Sequence, residues 1–336
     1  MGDCRDCVVV FDPLGEVGAA TIRALFSKEK IPEFRPRVRT LVQDPECKAA
    51  KALEEMGVVL YHGDMTDAKA VEKVMDGADA MVLLTTSLKF KQGTNLDPKK
   101  AKWVRGLQVE QARTVIRSAI KNELQIVVYM SVVGTEYVLE KYKSAEMYNK
   151  KWNRSIIYGE KLIIEDMVKA SGMMWTIIQT PMVMELLASA NQGITKKGKF
   201  PSAYKRTASV GLISCEDIGK LAKMALYNPD DWDKQYFTPM TDKLTPIEQC
   251  EILAQARGEI GLWDVTCTPR PLLFMMKPHW ARTLDTAEEI FEKVDHGAAI
   301  RATKKVLPEA VNLREWYQKK GLLGNMDWTE PSCVVS

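Results

Sequence analysis

A glycine-containing turn near the N-terminus is the segment whose spacing most clearly predicts chemistry. Residues 12–17 read Asp-Pro-Leu-Gly-Glu-Val, and Gly18 follows. The turn lies between an apolar run and a stretch with helical spacing, which is where dinucleotide-binding folds place their phosphate loop. Glycines there permit a tight turn, and a helix N-terminus favours the negative charge of a diphosphate. The segment therefore predicts a dinucleotide site.

Three residues in this turn oppose tight binding of a diphosphate. Asp12 stands where the first glycine belongs, Pro13 lacks a backbone N–H, and Glu16 adds a second acid. A like-charge contact near 4 Å costs about 1 kcal/mol in water and about 4 at a partly buried site. A helix N-terminus contributes roughly 0.3–2 kcal/mol. We therefore expect weak cofactor affinity unless the acids turn outward; Gly15 and Gly18 could also serve only close packing of helix on strand.

The end of the second predicted strand bears on which dinucleotide binds. Gln43 and Asp44 follow Val42. An acid at this point binds a ribose hydroxyl, and an arginine accommodates a 2′-phosphate. Gln43 hydrogen-bonds either group and neutralises neither, and the directions of Arg39 and Lys48 are open. The sequence does not separate NAD from NADP.

Cysteines and histidines predict no metal site. The seven cysteines are spread widely, which indicates reduced thiols. Cys4 and Cys7 form a lone CxxC without the second ligand pair that zinc requires. A redox CxxC should open a helix, whereas Cys7 enters a predicted strand. His62, His279 and His296 are isolated.

Alternating strands and helices position the turn. Apolar runs predict buried parallel strands, and 3.6-residue spacing predicts helices. The predicted strands are 7–11, 38–42, 58–61, 80–84, 125–130 and 175–178, and the predicted helices are 15–27, 45–56, 67–75, 103–121 and 156–171. The fold class predicted is α/β: a Rossmann-type doubly wound parallel sheet with a smaller C-terminal α/β lobe.

The pattern changes after Thr180. We predict a dinucleotide-binding domain over 1–180 to which some later elements return, a smaller substrate or partner lobe over 181–325, and a flexible tail over 326–336. Residues 193–209 are rich in Gly, Lys and Ser and predict a loop. Capping boxes open helices at Ser214 and Thr245, and 312–320 predicts a final helix.

Composition and net charge argue against a nucleic-acid-binding protein and against a membrane-spanning protein. The chain has 336 residues, 46% of them hydrophobic, and a net charge of +3, which is too mild to indicate nucleic-acid binding. No apolar stretch approaches the ~20 residues of a membrane span. The first residues lack the apolar segment of a signal peptide. We therefore expect a cytoplasmic protein.

The chain resembles the NmrA-like family of atypical short-chain dehydrogenases, including its NADPH-sensor members. The resemblance runs over about residues 7–320. It is carried by the segments VVVFDPLGEVGAA, VRTLVQDPE, GVVLYHGDMTD, IVVYMSVVG, YGEKLIIEDMVKASGMMWTIIQTPMVMELL, SCEDIGKLAKMAL and NLREWYQKKG.

The resemblance implies a Rossmann domain that binds NADP, and it implies roles for particular residues. The diphosphate would lie on Asp12, Pro13, Leu14, Gly15, Glu16 and Val17. Gln43 stands where the family commonly has the arginine that holds the 2′-phosphate. Asp64, Met65, Thr85, Thr86 and Ser87 would flank the adenine and ribose. Lys161 would reach the nicotinamide ribose, and Met182, Val183, Met184 and Glu185 would line the nicotinamide end.

The dehydrogenase acid is missing at its expected place. Short-chain dehydrogenases use a Tyr four residues before the Lys, and that position here is Ile157. Tyr158 is one residue late, a rotation of about 100° around the helix. Ser131 matches the dehydrogenase serine, or is an ordinary polar residue that ends a strand. Other candidate proton donors are Tyr129, Tyr142, Tyr148 and Tyr158.

The last four residues match a lipidation pattern. Cys333-Val-Val-Ser predicts farnesylation in a eukaryotic source. A single lipid anchors weakly, and the preceding residues contain no polybasic run. Farnesylation of Cys333 would bring peripheral membrane contact, and a chance match would leave an ordinary tail.

Three functions are consistent with these patterns. The first is an NAD(P)H-dependent reductase of a small carbonyl or alkene, with Lys161 orienting the cofactor and water or an unidentified Tyr supplying the proton. The second is a non-catalytic NADP(H) sensor that binds protein partners. The third is a scaffold that has lost the ligand, against which the retained Lys161, Gly15 and Gly18 argue.

Overall fold

A parallel sheet between two helical layers forms the centre of the molecule in a computed structural model, which describes residues 6–28, 31, 33–89, 102–150, 154–188, 199–256, 264–293 and 295–319. The seven strands of this sheet are β1 (Cys7–Val10), β2 (Arg37–Val42), β3 (Val59–His62), β4 (Ala80–Leu83), β7 (Ile126–Val132), β8 (Met174–Thr180) and β12 (Gln235–Phe237). They lie in the order β12-β8-β7-β4-β1-β2-β3, and every pair is parallel. The predicted Rossmann-type sheet is confirmed.

Three small sheets accompany it. They are formed by β5 (Leu88–Lys89) with β6 (Lys102–Trp103), by β9 (Met182–Val183), β11 (Val210–Ile213) and β13 (Asp242–Leu244), and by β10 (Lys199–Ser202) with β14 (Asp264–Cys267). Strand β9 follows β8 closely in the chain and joins it to the sheet of β9, β11 and β13.

The helices of the first half are α1 (Glu16–Phe26), α2 (Lys48–Glu55), α3 (Ala68–Met75), α4 (Leu107–Lys121), α5 (Thr135–Tyr142), α6 (Ala145–Asn149) and α7 (Ile156–Lys169). Those of the second half are α8 (Glu185–Ala188), α9 (Cys215–Tyr227), α10 (Pro229–Trp232), α11 (Pro246–Ala256), α12 (Arg270–Met276), α13 (Pro278–Lys293), α14 (Gly297–Val306) and α15 (Leu313–Lys319).

Two apolar cores cover the two faces of the main sheet. Val8 and Val10 of β1 pack into a core shared with α1 and α9. Cys7 and Val9 pack into the opposite core, with α3, α4 and α7. Successive strand residues point to opposite faces, so a continuous apolar run is what a strand covered on both sides requires.

Local capping agrees with most of the predicted helix ends. The Ser214 side chain accepts from the backbone N–H of Asp217 at 3.1 Å and so caps α9. Thr245 and Glu248 form a reciprocal capping box, because each side chain accepts from the other residue's backbone N–H. Gly57 ends the second helix with φ +98°, which is the left-handed position that favours glycine.

Two predictions from the sequence are wrong. The predicted loop over 193–209 contains strand β10, which pairs in parallel with β14. The other error concerns the start of α4. The spacing predicts a helix from Trp103, but Trp103 pairs with Leu88 in an antiparallel ribbon and α4 begins at Leu107. Gly106 precedes the helix with φ +82°, a conformation that a continuing helix excludes. The apolar side chains of Trp103 and Val104 fit the helical period by coincidence.

Helix α9 returns from the second half to pack on α1. The two helices approach closely at Gly219, where an added Cβ would lie 2.6 Å from the Ala20 carbonyl oxygen. A methyl group there must push the helices apart, because backbone atoms of a packed helix cannot turn aside. This contact therefore fixes α1, and with it the turn at residues 12–15.

We expect Gly219→Ala to destabilise the fold by about 1–3 kcal/mol through overpacking. Urea unfolding followed by circular dichroism measures the loss. Gly297→Ala is the matched control, because its added Cβ would meet only side-chain atoms of Asp295 and Arg301. Equal stabilities of the two variants would contradict the close-packing role of Gly219.

Candidate functional site

The turn between β1 and α1 packs closely against the first turn of α1. The Asp12 carbonyl accepts from the backbone N–H of Gly15 at 3.2 Å, and Asp12 itself has φ +50°. A Cβ on Gly18 would lie 2.0 Å from the Asp12 carbonyl oxygen. Gly18 therefore serves close packing of the helix on the turn, which brings the α1 N-terminus to the edge of the sheet.

A cleft opens beside this turn, at the carboxyl ends of β1, β2 and β4. It contains about 840 Å³ of space between the atoms, part of it open solvent. The predicted site residues that line it are Asp12, Pro13, Leu14, Gly15, Gln43, Asp64, Met65 and Thr86. Sheet order reverses between β1 and β4, and ligands in open α/β sheets bind at such a switch point.

Other residues of the cleft wall were missed by the sequence prediction. They include Phe11, Gly63, Thr66, Leu88, Leu107 and Gln111. Among the described residues that line the cleft, there is no lysine or arginine. An anionic ligand would therefore depend on backbone N–H groups and neutral side chains along this wall.

The far rim of the cleft, after β2, is acidic. Asp44 turns its carboxylate back to accept from the Glu46 backbone N–H at 3.1 Å, and Glu46 pairs with Lys51 at 2.8 Å. The Arg39 guanidinium donates to the carbonyls of Val74 and Asp76 at the end of α3, at 3.4 and 2.6 Å. Arg39 is thus directed to α3, a direction that the sequence left open.

Two glutamines of α4 hold the loop after β4. Gln108 accepts from the Thr85 hydroxyl at 2.9 Å and donates to the Ser87 hydroxyl at 2.8 Å. Gln111 accepts from the Thr86 backbone N–H at 3.0 Å. Both glutamines are buried, and their three-residue spacing on one helix face is the signal that could have revealed them.

Asp64 and Met65 shape the opposite side of the cleft. The Asp64 carboxylate accepts from the backbone N–H and the hydroxyl of Thr66, at 2.7 and 2.5 Å. This local turn leaves the Asp64 side chain occupied by its own loop. Met65 is buried in the core beneath the cleft and presents an apolar wall.

Lys161 projects from α7 toward the carboxyl ends of the strands. Its ammonium donates to the Met130 carbonyl at 2.9 Å and to the Thr85 hydroxyl at 3.4 Å, and lies 5.2 Å from the centre of the Tyr129 ring. Burial lowers the pKa of Lys161 to about 8, an effect that the nearby acids Glu165, Glu160 and Asp12 oppose.

Asp12 lines the cleft and lies near enough to Lys161 for the two charges to interact. Burial raises the pKa of the Asp12 carboxyl to about 6, and the Lys161 charge opposes that rise. Lys161 itself is not among the residues that line the cleft. The two side chains form a titratable pair of opposite charge beside the turn.

Glu16 and Val17 lie differently from Asp12. Neither is among the residues that line the cleft; Val17 packs into the core under α1 and α9. Burial and Glu185 raise the pKa of the Cys215 thiol, and the nearby Glu16 charge adds a smaller contribution. Of the two acids in the turn, only Asp12 is among the residues that line the cleft.

Comparison with known proteins identifies the family. The model of the NmrA-like family matches residues 5–292. The chain belongs to the NmrA-like family. An NAD(P)H azoreductase from Xenophilus azovorans is 23% identical over 251 residues, which cover 75% of this chain and 74% of that protein.

Solved structures of NmrA-like proteins share the fold. The negative transcriptional regulator NmrA, in complex with NAD, is 15% identical over 98% of this chain and 100% of its own, with a TM-score of 0.67. The triphenylmethane reductase of Citrobacter sp., complexed with NADP(H), is 13% identical over 93% of this chain and 99% of its own, also with a TM-score of 0.67.

Ser131, which the sequence analysis compares with the dehydrogenase serine, takes part in an internal hydrogen-bond network. The Ser131 hydroxyl donates to Glu165 at 2.5 Å, and Tyr236 donates to the other oxygen of that carboxylate at 3.2 Å. Burial raises the pKa of Glu165, and the hydroxyl donors oppose that rise. Ser131 is therefore held by Glu165 rather than by Lys161.

Two of the candidate tyrosines, Tyr158 and Tyr148, have hydrogen-bond partners other than Lys161, whereas Tyr129 lies beside Lys161. The buried Tyr158 hydroxyl donates to the Val133 carbonyl at 3.2 Å. Tyr129 is fully buried next to Lys161. Burial raises the pKa of the Tyr129 and Tyr158 hydroxyls well above the ordinary value of tyrosine. Tyr148 is also buried, and its hydroxyl accepts from the Ser155 backbone N–H.

The segment after β8 pairs with β11 and packs against α15. Val183 pairs with Ile213, and Met184 is buried in a core with Trp316 and Tyr317. The Glu185 carboxylate accepts from the Cys215 backbone N–H at 3.0 Å and from the Trp316 indole at 3.2 Å. Met182, Val183, Met184 and Glu185 are not among the residues that line the cleft.

The described residues contain no group of three or more His, Cys, Asp or Glu side chains arranged to hold a metal ion. Helices long and apolar enough to cross a bilayer are likewise absent from the described part of the chain. Cys4, Lys320 and Cys333 lie outside it.

Proposed function

We propose that this chain binds a nicotinamide dinucleotide in the cleft and acts as a sensor, with occupancy signalled to a protein partner. The observation that carries the proposal is the cleft itself. The α1 N-terminus and residues 12–15 form one side, and Gln43, Asp64 and Met65 form the other. The diphosphate would lie over the α1 N-terminus and the adenosine toward Gln43.

The local chemistry fits this ligand only in part. The helix N-terminus and the Lys161 ammonium favour an anion, whereas the Asp12 carboxylate opposes one. Affinity is therefore moderate and depends on the charge of the Asp12–Lys161 pair. A ligand that is readily released suits a sensor, because occupancy then follows the free concentration.

The disposition of hydroxyl groups supports a sensor over a dehydrogenase. Ser131 is bound to Glu165 and Tyr158 to the Val133 carbonyl, so neither hydroxyl is available beside Lys161. A general acid must reach the group to which it gives its proton.

A reductase is the second candidate, and one observation favours it. A Lys161 ammonium with a pKa near 8 is a proton donor matched to neutral pH. The bound cofactor would supply the hydride, and Lys161 would donate the proton to a reduced carbonyl.

The first test measures cofactor choice. Because no cation lines the described cleft wall, we expect calorimetry to give dissociation constants for NADH and NADPH within about threefold of each other. Gln43→Arg should then favour NADPH by about tenfold, since a guanidinium pairs with the 2′-phosphate. Gln43→Met is the uncharged control. Binding of neither dinucleotide would overturn the proposed function.

The second test measures proton uptake on binding. As pH falls from about 8.5 to about 5.5, Lys161 gains a proton first and Asp12 second, and each step favours the diphosphate. NADH affinity should therefore rise, by about tenfold between pH 7.5 and 5.5. NADH is the probe because a 2′-phosphate would itself titrate near pH 6.

Variants of the two acids in the turn test whether Asp12 causes the pH dependence of NADH affinity. Asp12→Asn should tighten NADH binding at neutral pH and flatten the profile below about pH 7, because the side chain no longer titrates. Glu16→Gln is the matched control and should follow the wild-type curve. An Asp12→Asn profile that coincides with that of the wild type would show that Asp12 does not face the diphosphate.

The third test separates sensor from enzyme. Reduced-cofactor consumption is followed with a panel of carbonyl, quinone and azo compounds. A sensor gives no turnover with any of them, whereas a reductase gives turnover that Lys161→Met abolishes. Lys169→Met, at the far end of the same helix, is the control and should keep any activity. Turnover that survives Lys161→Met would refute Lys161 as the acid.

A further inference from the structure

Helix α12 presents an apolar surface to solvent. Its side chains include Met275 at 83% exposure and Met276 at 66%, with Leu272 at 45% and Phe274 at 37%. None of the helix residues is buried. We call these four residues the α12 tip. Contiguous exposed apolar side chains of this size mark an interaction surface.

The base of the helix is firmly attached. The Arg270 guanidinium pairs with Asp285 at 3.0 Å and with Glu288 at 2.5 Å, both on α13. Glu288 also pairs with Lys205 at 2.9 Å. These contacts neutralise the acids nearest to α12 and hold the helix so that its far end projects.

Positive charge adjoins the α12 tip. Residues 268–283 contain no Asp or Glu and carry Arg270, Lys277 and Arg282. Burial lowers the pKa of His279, and the charges of Lys277 and Arg282 lower it further, so both cations lie near the same imidazole ring. Trp103 stacks on that ring at 4.4 Å, and Lys102 precedes Trp103. We call Lys277 and Arg282 the cationic edge.

The apolar α12 tip and the adjacent cationic edge together indicate which kind of partner binds this surface. A two-fold contact between two copies of this chain would bring each cationic edge against its own kind, which is unfavourable. An anionic bilayer is complementary in both respects: flexible apolar side chains enter the acyl region, and lysine and arginine remain at the headgroups.

We propose that the α12 tip and the cationic edge dock this protein on anionic phospholipid membranes. The contact is peripheral, because α12 is a short surface helix. It is independent of the dinucleotide cleft and of any lipid on Cys333.

Vesicle co-sedimentation tests the proposal. The full chain is produced in bacteria, where no farnesyl group is added, and is mixed with phosphatidylcholine vesicles with or without phosphatidylserine. We expect binding to the phosphatidylserine vesicles that weakens with added salt. Equal sedimentation with and without phosphatidylserine, or none with either, would overturn the proposal.

Matched variants locate the surface. The double variant Met275→Glu, Met276→Glu should bind at least about tenfold more weakly, because it removes two apolar insertions and adds negative charge. Lys277→Gln should weaken binding by about fivefold. Met147→Glu, at a methionine that is 52% exposed on α6, is the control and should bind like the wild type.

Two further measurements make the result decisive. Unchanged circular dichroism and thermal unfolding of the double variant show that it is folded. Light scattering reports the oligomeric state, and a dimer that the double variant dissociates would assign the α12 tip to contact between copies, against the proposal. Vesicle binding by the double variant equal to that of Met147→Glu would refute it as well.

Discussion

The site depends on one close backbone approach, between the Asp12 carbonyl and the Cα of Gly18. Only a residue without a Cβ permits it, because a methyl group would lie 2.0 Å from the carbonyl oxygen. The approach presses the turn on the first helical turn of α1 and brings the helix N-terminus to the cleft. A second contact of the same kind, Gly219 against the Ala20 carbonyl, fixes α1 from its other side through α9. Elements from both halves of the chain thus determine where the phosphate loop lies.

The same turn introduces the charge that opposes its ligand. Asp12 adopts φ +50°, a conformation that asparagine and aspartate tolerate better than most side chains. This backbone position directs its carboxylate into the cleft toward Lys161. Burial raises the pKa of the acid and lowers the pKa of the amine, so that both titrate closer to neutrality than in water. The NmrA-like fold is retained, and the charge of the Asp12–Lys161 pair changes with pH near neutrality.

Ser131 and Tyr158, which the sequence analysis considers for catalysis, form internal hydrogen bonds in this structure. Ser131 and Tyr236 donate to the buried Glu165 carboxylate, Tyr158 donates to the Val133 carbonyl, and Glu185 joins α9 to α15 through Trp316. A buried carboxylate without partners is costly, so the hydrogen bonds to Glu165 and Glu185 stabilise the fold.

The sequence alone determined the alternation of strands and helices, the glycine turn and most helix caps, because these depend on periodicity and on neighbours a few residues apart. It misplaced the start of α4, where apolar residues of a small ribbon fitted the helical period. Only the tertiary structure decided that Asp12 lies near Lys161, that Glu16 is not part of the cleft wall and that Arg39 is bound to the end of α3. Each of these outcomes depends on an element distant in the chain. The physical reason is that local spacing fixes which face of an element a residue occupies, whereas packing between elements fixes the charge and the hydrogen-bond partner that it meets there.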